Sequence, residues 1–178
     1  MFRSGSSGSS LFITALCFAA ASAIAQSTGK PTDPQIAHIA YTADQIDIEA
    51  AKQALNKTQS KDVKAFAEEM VRDHTAVNNQ ALALLDKLKV KPEDNDTSKS
   101  LADTASRKRA ELSKLSGAAF DKAYAENEVA YHQTVNGALE KTLIPGAQNG
   151  ELKSLLQTGL KLFQEHEKHA ENLASGLK

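Results

Sequence analysis

Three of the five histidines in this 178-residue chain fall where an imidazole is least expected, in line with apolar residues. In "FAEEMVRDHTAVNNQALALL", residues 66–85, His74 occupies the middle of the stripe Val63, Ala67, Met70, His74, Val77, Ala81, Leu84 and Leu88. That stripe steps by alternating fours and threes, the seam of a packed bundle helix. His166 and His169 lie on a second seam, Leu152, Leu155, Gly159, Leu162, His166, His169 and Leu173. His132 follows Glu128 by four at the edge of a third. Asp47 is the carboxylate on a face of small residues, Ile36, Ala40, Ala43, Asp47, Ala50 and Ala54. Imidazole and carboxylate together suit zinc, copper, iron or manganese. A mutual hydrogen-bond network in the core is the other way to satisfy such groups once buried. His38, grouped with Thr42, Gln45 and Glu49, reads as solvated.

The elements that must carry these groups are helices. Beyond residue 25 the chain is rich in Ala, Leu, Lys, Glu and Gln, and Pro31, Pro34, Pro92 and Pro145 all fall at boundaries. No alternating β pattern extends beyond a few residues. A first helix is expected from Asp33 as N-cap, with Pro34 in its first turn, to about Lys57. A second runs from near Ser60 to before Pro92. The polar stretch "KPEDNDTSKS" then reads as a crossing connection, followed by a short helix over 98–114. A third long helix, 118–143, buries Phe120, Tyr124, Tyr131, Val135 and Leu139, and a fourth covers 151–174 after "IPGAQNG". Two hairpins joined by a long crossover make an antiparallel four-helix bundle over residues 34–174, with a linker at 26–33 and a tail at 175–178.

Helix rise predicts the heights of the candidate ligands. Asp44 and His74 are each 15 residues from a turn at Gln59, and His132 is 15 from a turn at Ala147; each is thus roughly 22 Å from its own end of the bundle. Glu128 and His166 are both 19 from Ala147, roughly 28 Å. All reach the waist, with Asp47 within one turn of Asp44. The candidate metal ligands are therefore Asp47, His74, His132 and His166, with Glu128 accessory and Asp73 a supporting partner. A di-iron centre of the Glu-x-x-His kind is not expected, because the residues three before the histidines are Gln35, Val71, Val129, Phe163 and His166.

Residues 1–25 read as a secretory signal peptide: Arg3, the apolar run "LFITALCFAAASAIA", and Ala23-Ile24-Ala25 ahead of Gln26. The run is too short for a comfortable bilayer span; a retained N-terminal anchor is the alternative to cleavage. Cleavage leaves 153 residues, removes the single cysteine, Cys17, and shifts the formal charge from −1 to −2 with the loss of Arg3. Cysteine-based metal, redox and nucleophile chemistry is thereby excluded, and the absence of a basic patch speaks against a nucleic-acid partner. No second apolar segment is long enough to span a membrane. No G-x-S-x-G segment and no phosphate-binding loop occurs beyond residue 25.

Two stretches carry a family resemblance: "DVKAFAEEMVRDHTAVN" at 62–78 and "LSKLSGAAFDKAY" at 112–124. With "IDIEAAKQA" at 46–54, whose acids are Asp47 and Glu49, they resemble the exported bacterial family known as domain of unknown function 4142, over about residues 34–174. The resemblance implies a ferritin-like four-helix bundle, export from the cytoplasm, and counterparts of its third- and fourth-helix histidines at His132 and His166. Asp47 stands where a glutamate is more usual. Members carry exported or outer-membrane labels without an established activity; no β-barrel pattern supports a span here, so envelope association, with an envelope protein as partner, is the most it implies. The expected function is an exported, periplasmic, non-enzymatic bundle that binds one transition metal at mid-height and serves envelope homeostasis or stress tolerance. A metal-free interaction module and a metal-dependent oxidoreductase are the alternatives.

Overall fold

A computed structural model describes residues 30–177; the expected signal peptide lies outside the described residues. The chain is all-helical there: α1 (Asp33–Lys57), α2 (Lys61–Leu88), α3 (Asp96–Ser113), α4 (Gly117–Ala138), a π-helical turn (Leu139–Leu143), a short α5 (Ile144–Gly146) and α6 (Gly150–Gly176).

Each start has a local cause. Thr32, rather than Asp33, caps α1: its side chain accepts from Gln35 N–H while the Gln35 side chain accepts from Thr32 N–H, a reciprocal capping box. Asp33 is already helical, and its carboxylate accepts from the backbone N–H groups of Gln148 and Asn149 at 2.8 and 2.7 Å, fastening the turn before α6. Ser60 caps α2, Asn95 caps α3 and Asn149 caps α6 through side-chain oxygens. Lys89, in the left-handed region at φ 54°, closes α2 ahead of Pro92. The α-helix expected over 118–143 instead leaves regular geometry at Leu139. Pro145 has no N–H to donate and its ring crowds the carbonyl four residues back; the π turn lies immediately before it and takes up the mismatch.

Side-chain contacts give the order and direction of the helices. Tyr131 Oη donates to Ala43 O, and the Lys57 ammonium lies over the Phe120 ring, so α1 runs antiparallel to α4. Lys87 pairs with Glu151 and Glu69 with His169, so α2 runs antiparallel to α6. The two hairpins complete a ring of four in which each neighbouring pair is antiparallel, the architecture expected from the loop lengths. α3 is the crossover; it packs chiefly on α1 and only lightly on α4, burying just Ser98 and Leu112.

Two apolar clusters fill the bundle. One contains Val63, Phe66, Met70, Phe120, Tyr124 and Leu173. The other contains Ile36, Ile39, Leu85, Leu139, Leu156 and Phe163. Between them lies a layer of buried polar groups: Asp44, Asp47, His74, Asn78, Glu128, His132, Asn136 and His166.

Candidate metal centre

The expected ligands Asp47, His74, Glu128, His132 and His166 all occupy this layer, each at most 2% exposed. They come from the four long helices at the heights that helix rise predicts. His132 and Glu128, at the edge of their stripe by sequence, are as deeply buried as the rest, because α4 turns that edge toward α1. One ring nitrogen from each of His74, His132 and His166 lies within 4.8 Å of the others, and Asp47, Glu128 and His132 form a second such group. The rings meet at centroid separations of 5.7, 5.3 and 5.6 Å.

Each imidazole is held from behind by one nitrogen. His74 Nδ1 is 2.7 Å from Asp44 Oδ1, His132 Nδ1 is 3.0 Å from Glu128 O, and His166 Nε2 is 3.1 Å from Asp73 Oδ2. The other nitrogen of each ring, His74 Nε2, His132 Nε2 and His166 Nδ1, is buried without a hydrogen-bond partner, as are both carboxylate oxygens of Asp47. Asp47 Oδ2 approaches His74 Nε2 at 3.2 Å and His132 Nε2 at 3.4 Å without hydrogen-bond geometry. Buried polar atoms are nearly always partnered; here Asp47 Oδ2 lies beside the free nitrogens of His74 and His132, and the ring of His166 adjoins both histidines. Phe163 stacks on His74 at 4.6 Å and fixes its plane.

Burial and charge set the protonation of these groups. Burial pushes His166 down to about 4, with the nearby His74 adding to the effect, and lowers His132. Both rings are thus neutral at neutral pH. Burial alone would lower His74 too, but the Asp47 and Asp44 carboxylates outweigh it and raise its pKa. Burial raises Asp44, partly offset by His74. Burial, then the Asp47 charge, pushes Glu128 well above the usual carboxylate range, and the Tyr124 hydroxyl one turn before it is raised by burial and the same two acids.

Several sequence expectations are corrected. His169 leaves its seam and is exposed, pairing with Glu69 at 2.7 Å; Phe163 and Ala170 take the inward positions of α6 instead. His38 is not solvated: it is partly buried, its Nδ1 atom fully so, 3.9 Å from Asp94. Glu49, the second acid of the first-helix pair, points outward to Lys52. Tyr131 and Val135 are only partly buried. Asp44, whose inward orientation the α1 stripe left uncertain, is buried behind His74. Sequence reasoning missed Asn78 and Asn136. Each follows a waist histidine by four residues, and that single-turn spacing was the available signal.

A cavity of about 550 Å³ opens between α3 and α4 over α1, and Asp47 and Glu128 line it. Among the described residues no helix is long and apolar enough to cross a membrane.

The sequence model of the family described as "Domain of unknown function (DUF4142)" matches residues 18–173. No curated protein matches the chain. Among solved structures, that of a Streptomyces coelicolor protein with the DUF305 description is similar at TM-score 0.67 and 13% identity, covering 81% of this chain and 92% of that one. At that identity the likeness concerns the fold alone.

Proposed function

The chain belongs to the DUF4142 family, and from that premise we propose that it is an exported, non-enzymatic bundle that binds one first-row transition-metal ion at its waist. Asp47, His74, His132 and His166 are the ligands and Glu128 is accessory. The observation that carries this reading is the pairing of roles on each ring: one nitrogen held by a backing group, the other buried and free, with the unpartnered Asp47 carboxylate beside those of His74 and His132. Metal-ligating histidines are commonly held by a carboxylate or carbonyl on the far nitrogen. The mixed nitrogen and oxygen set suits zinc, iron, manganese or copper rather than calcium or magnesium. The leader-like N-terminus supports export, as does the description of the Streptomyces protein as predicted to be secreted. We place such a bundle in envelope homeostasis or stress tolerance.

The test is elemental analysis of protein purified without an affinity tag or chelator. Near one equivalent of metal is expected, and the double variant His74→Ala/His166→Ala should hold none. Stoichiometric metal in that variant overturns the reading.

One observation favours a second reading, a metal-dependent oxidoreductase: the cavity that reaches Asp47 and Glu128 gives the waist an approach from outside. Turnover of peroxide by the metal-loaded protein would support it, and inertness would count against it. A metal-free interaction module with a histidine network in its core is the third reading; no uptake of metal on reconstitution would select it.

A further inference from the structure

We infer that Glu69, Asp73 and His169, with the outward nitrogen of His166, form an outer metal site on the seam between α2 and α6, through which a divalent transition-metal ion reaches the waist. Binding at this site is independent of the waist reading; its role as a port rests on that reading.

The two helices bring the four groups into register. Glu69 and Asp73 lie one turn apart on α2, and His166 and His169 one turn apart on α6. Antiparallel packing sets Glu69 beside His169, with Oε2 2.7 Å from Nδ1, and Asp73 beside His166, with Oδ2 3.1 Å from Nε2. One ligand atom from each of Glu69, Asp73 and His166 lies within 4.8 Å of the others. Phe66 meets the His169 ring edge-on at 5.1 Å and steadies it. Side-chain exposure falls from 47% at His169 through 30% at Glu69 and 18% at Asp73 to 2% at His166. The series runs from solvent to a ring whose other nitrogen, Nδ1, is buried and free.

Two imidazoles and two carboxylates suit zinc, iron, manganese or copper. Around a tetrahedral ion with bonds of about 2.0–2.2 Å, neighbouring ligand atoms stand roughly 3.3 Å apart, so small rotations of the Glu69 and His169 side chains admit one. The pairings an ion would displace are surface ones, which contribute little. Arg72 holds the cation's place now: its side chain is 67% exposed, its Nε and Nη2 donate to the Asp73 carboxylate at 2.7 and 3.0 Å, and Nη2 is 4.0 Å from Glu69 Oε1. A neutral imidazole has one lone pair, so His166 serves the outer ion through Nε2 or the waist ion through Nδ1, and filling the waist weakens the outer site. The other approach to the waist, the cavity between α3 and α4, is lined by Ile46, Ala50, Leu101, Ala105 and Ala130 and by the cations Lys108 and Arg109. Apolar walls strip a hydrated ion without replacing its ligands, and the cations repel it.

Zinc alone is titrated into the full chain, followed by calorimetry and by imidazole proton–nitrogen spectra. The expected result is one tight equivalent and a second, at least about tenfold weaker, that shifts the His169 signals; being open to solvent, the second washes out during purification. Glu69→Gln/His169→Gln, at positions that leave the core untouched, should abolish the second equivalent and keep the first, with circular dichroism unchanged. In stopped-flow at low salt the same variant should load the first equivalent about tenfold more slowly. Arg72→Ala should tighten the second equivalent roughly two- to fivefold. Ala105→Phe, which narrows the cavity, should leave the loading rate as it is. The inference is overturned if the wild type takes no second equivalent, if Glu69→Gln/His169→Gln keeps it or loads at the wild-type rate, or if Ala105→Phe is the change that slows loading. A waist that takes no metal would leave the outer equivalent standing alone, still lost in Glu69→Gln/His169→Gln; that outcome overturns the port and keeps the site, so the two readings fail separately.

Discussion

His74 Nδ1 and Asp44 Oδ1 lie 2.7 Å apart across the α1–α2 hairpin, both side chains almost wholly buried. An ionised carboxylate only accepts, so this bond puts the imidazole proton on Nδ1. The lone pair on Nε2 then faces the Asp47 carboxylate, 3.2 Å away. Lone pair against carboxylate is unfavourable unless a positive charge sits between them, and either a second proton on His74 or a metal ion supplies it. Asp44 thereby decides what the other side of the ring can do.

Removing the backing acid should weaken the metal without unfolding the chain. Asp44→Asn keeps size and hydrogen-bonding capacity but loses the charge. Metal affinity is expected to fall about 10- to 100-fold, read by competition against a chromophoric chelator, with helicity retained. Unchanged affinity would mean that Asp44 is not a supporting group.

Metal uptake should release a proton. The two acids raise the pKa of His74 above its usual 6.5, so the metal-free ring still carries a second proton at pH 6.5, and a bound metal displaces it. Calorimetric titrations at pH 6.5 in buffers of different ionisation enthalpy should therefore differ in apparent heat. Identical heats in all buffers would contradict a proton at that position.

The acid limb of stability in the metal-free protein should carry the mark of His166. Its folded value is about 4 against 6.5 unfolded, so between those values the unfolded chain binds the extra proton and the folded chain does not. Stability therefore falls as pH drops from 6.5 toward 4, by an amount on the order of 3 kcal/mol for a shift of this size. His74 acts oppositely: its contribution is present below its unfolded value and is lost as pH rises through its raised folded value. Comparing the wild type with His166→Gln isolates the first effect. Denaturant melts at pH 4.5 and 7 should show a smaller difference for the variant.

The crossover helix should come loose on its own. Leu112 is its one large buried side chain, and Leu112→Ala removes a core contact of the kind that costs about 2–5 kcal/mol. The expected result is faster amide exchange confined to α3, with metal stoichiometry kept near one. Loss of metal together with α3 protection would tie the crossover to the waist.

The helix count, the antiparallel pairing and the height of each waist group were legible in the sequence because regular helices convert spacing into distance. α2 shows this best: its unbroken stripe put His74 inward, and it is inward. Orientation was less legible where a stripe drifts. On α6 the seam read through Leu162 and His169 actually passes through Phe163 and Ala170, since a small rotation of the helix moves a whole row of side chains. His38 was misread because its covering group, Asp94, lies on the connection before α3, and loop placement is not encoded in a helix face. The π turn escaped for a related reason: Pro145 announces a break, but not how the preceding backbone absorbs it.

The crossover topology divides the waist between the two hairpins. Asp47 and His74 arrive on the first hairpin, while Glu128, His132 and His166 arrive on the second. Neither hairpin alone gathers all the groups, so the complete layer comes into being only when the two halves dock, late in any folding sequence. A chain threaded across a membrane unfolded would carry no complete site during transit and would assemble one only on arrival. The composition of the destination compartment, rather than that of the compartment of synthesis, would then choose the ion.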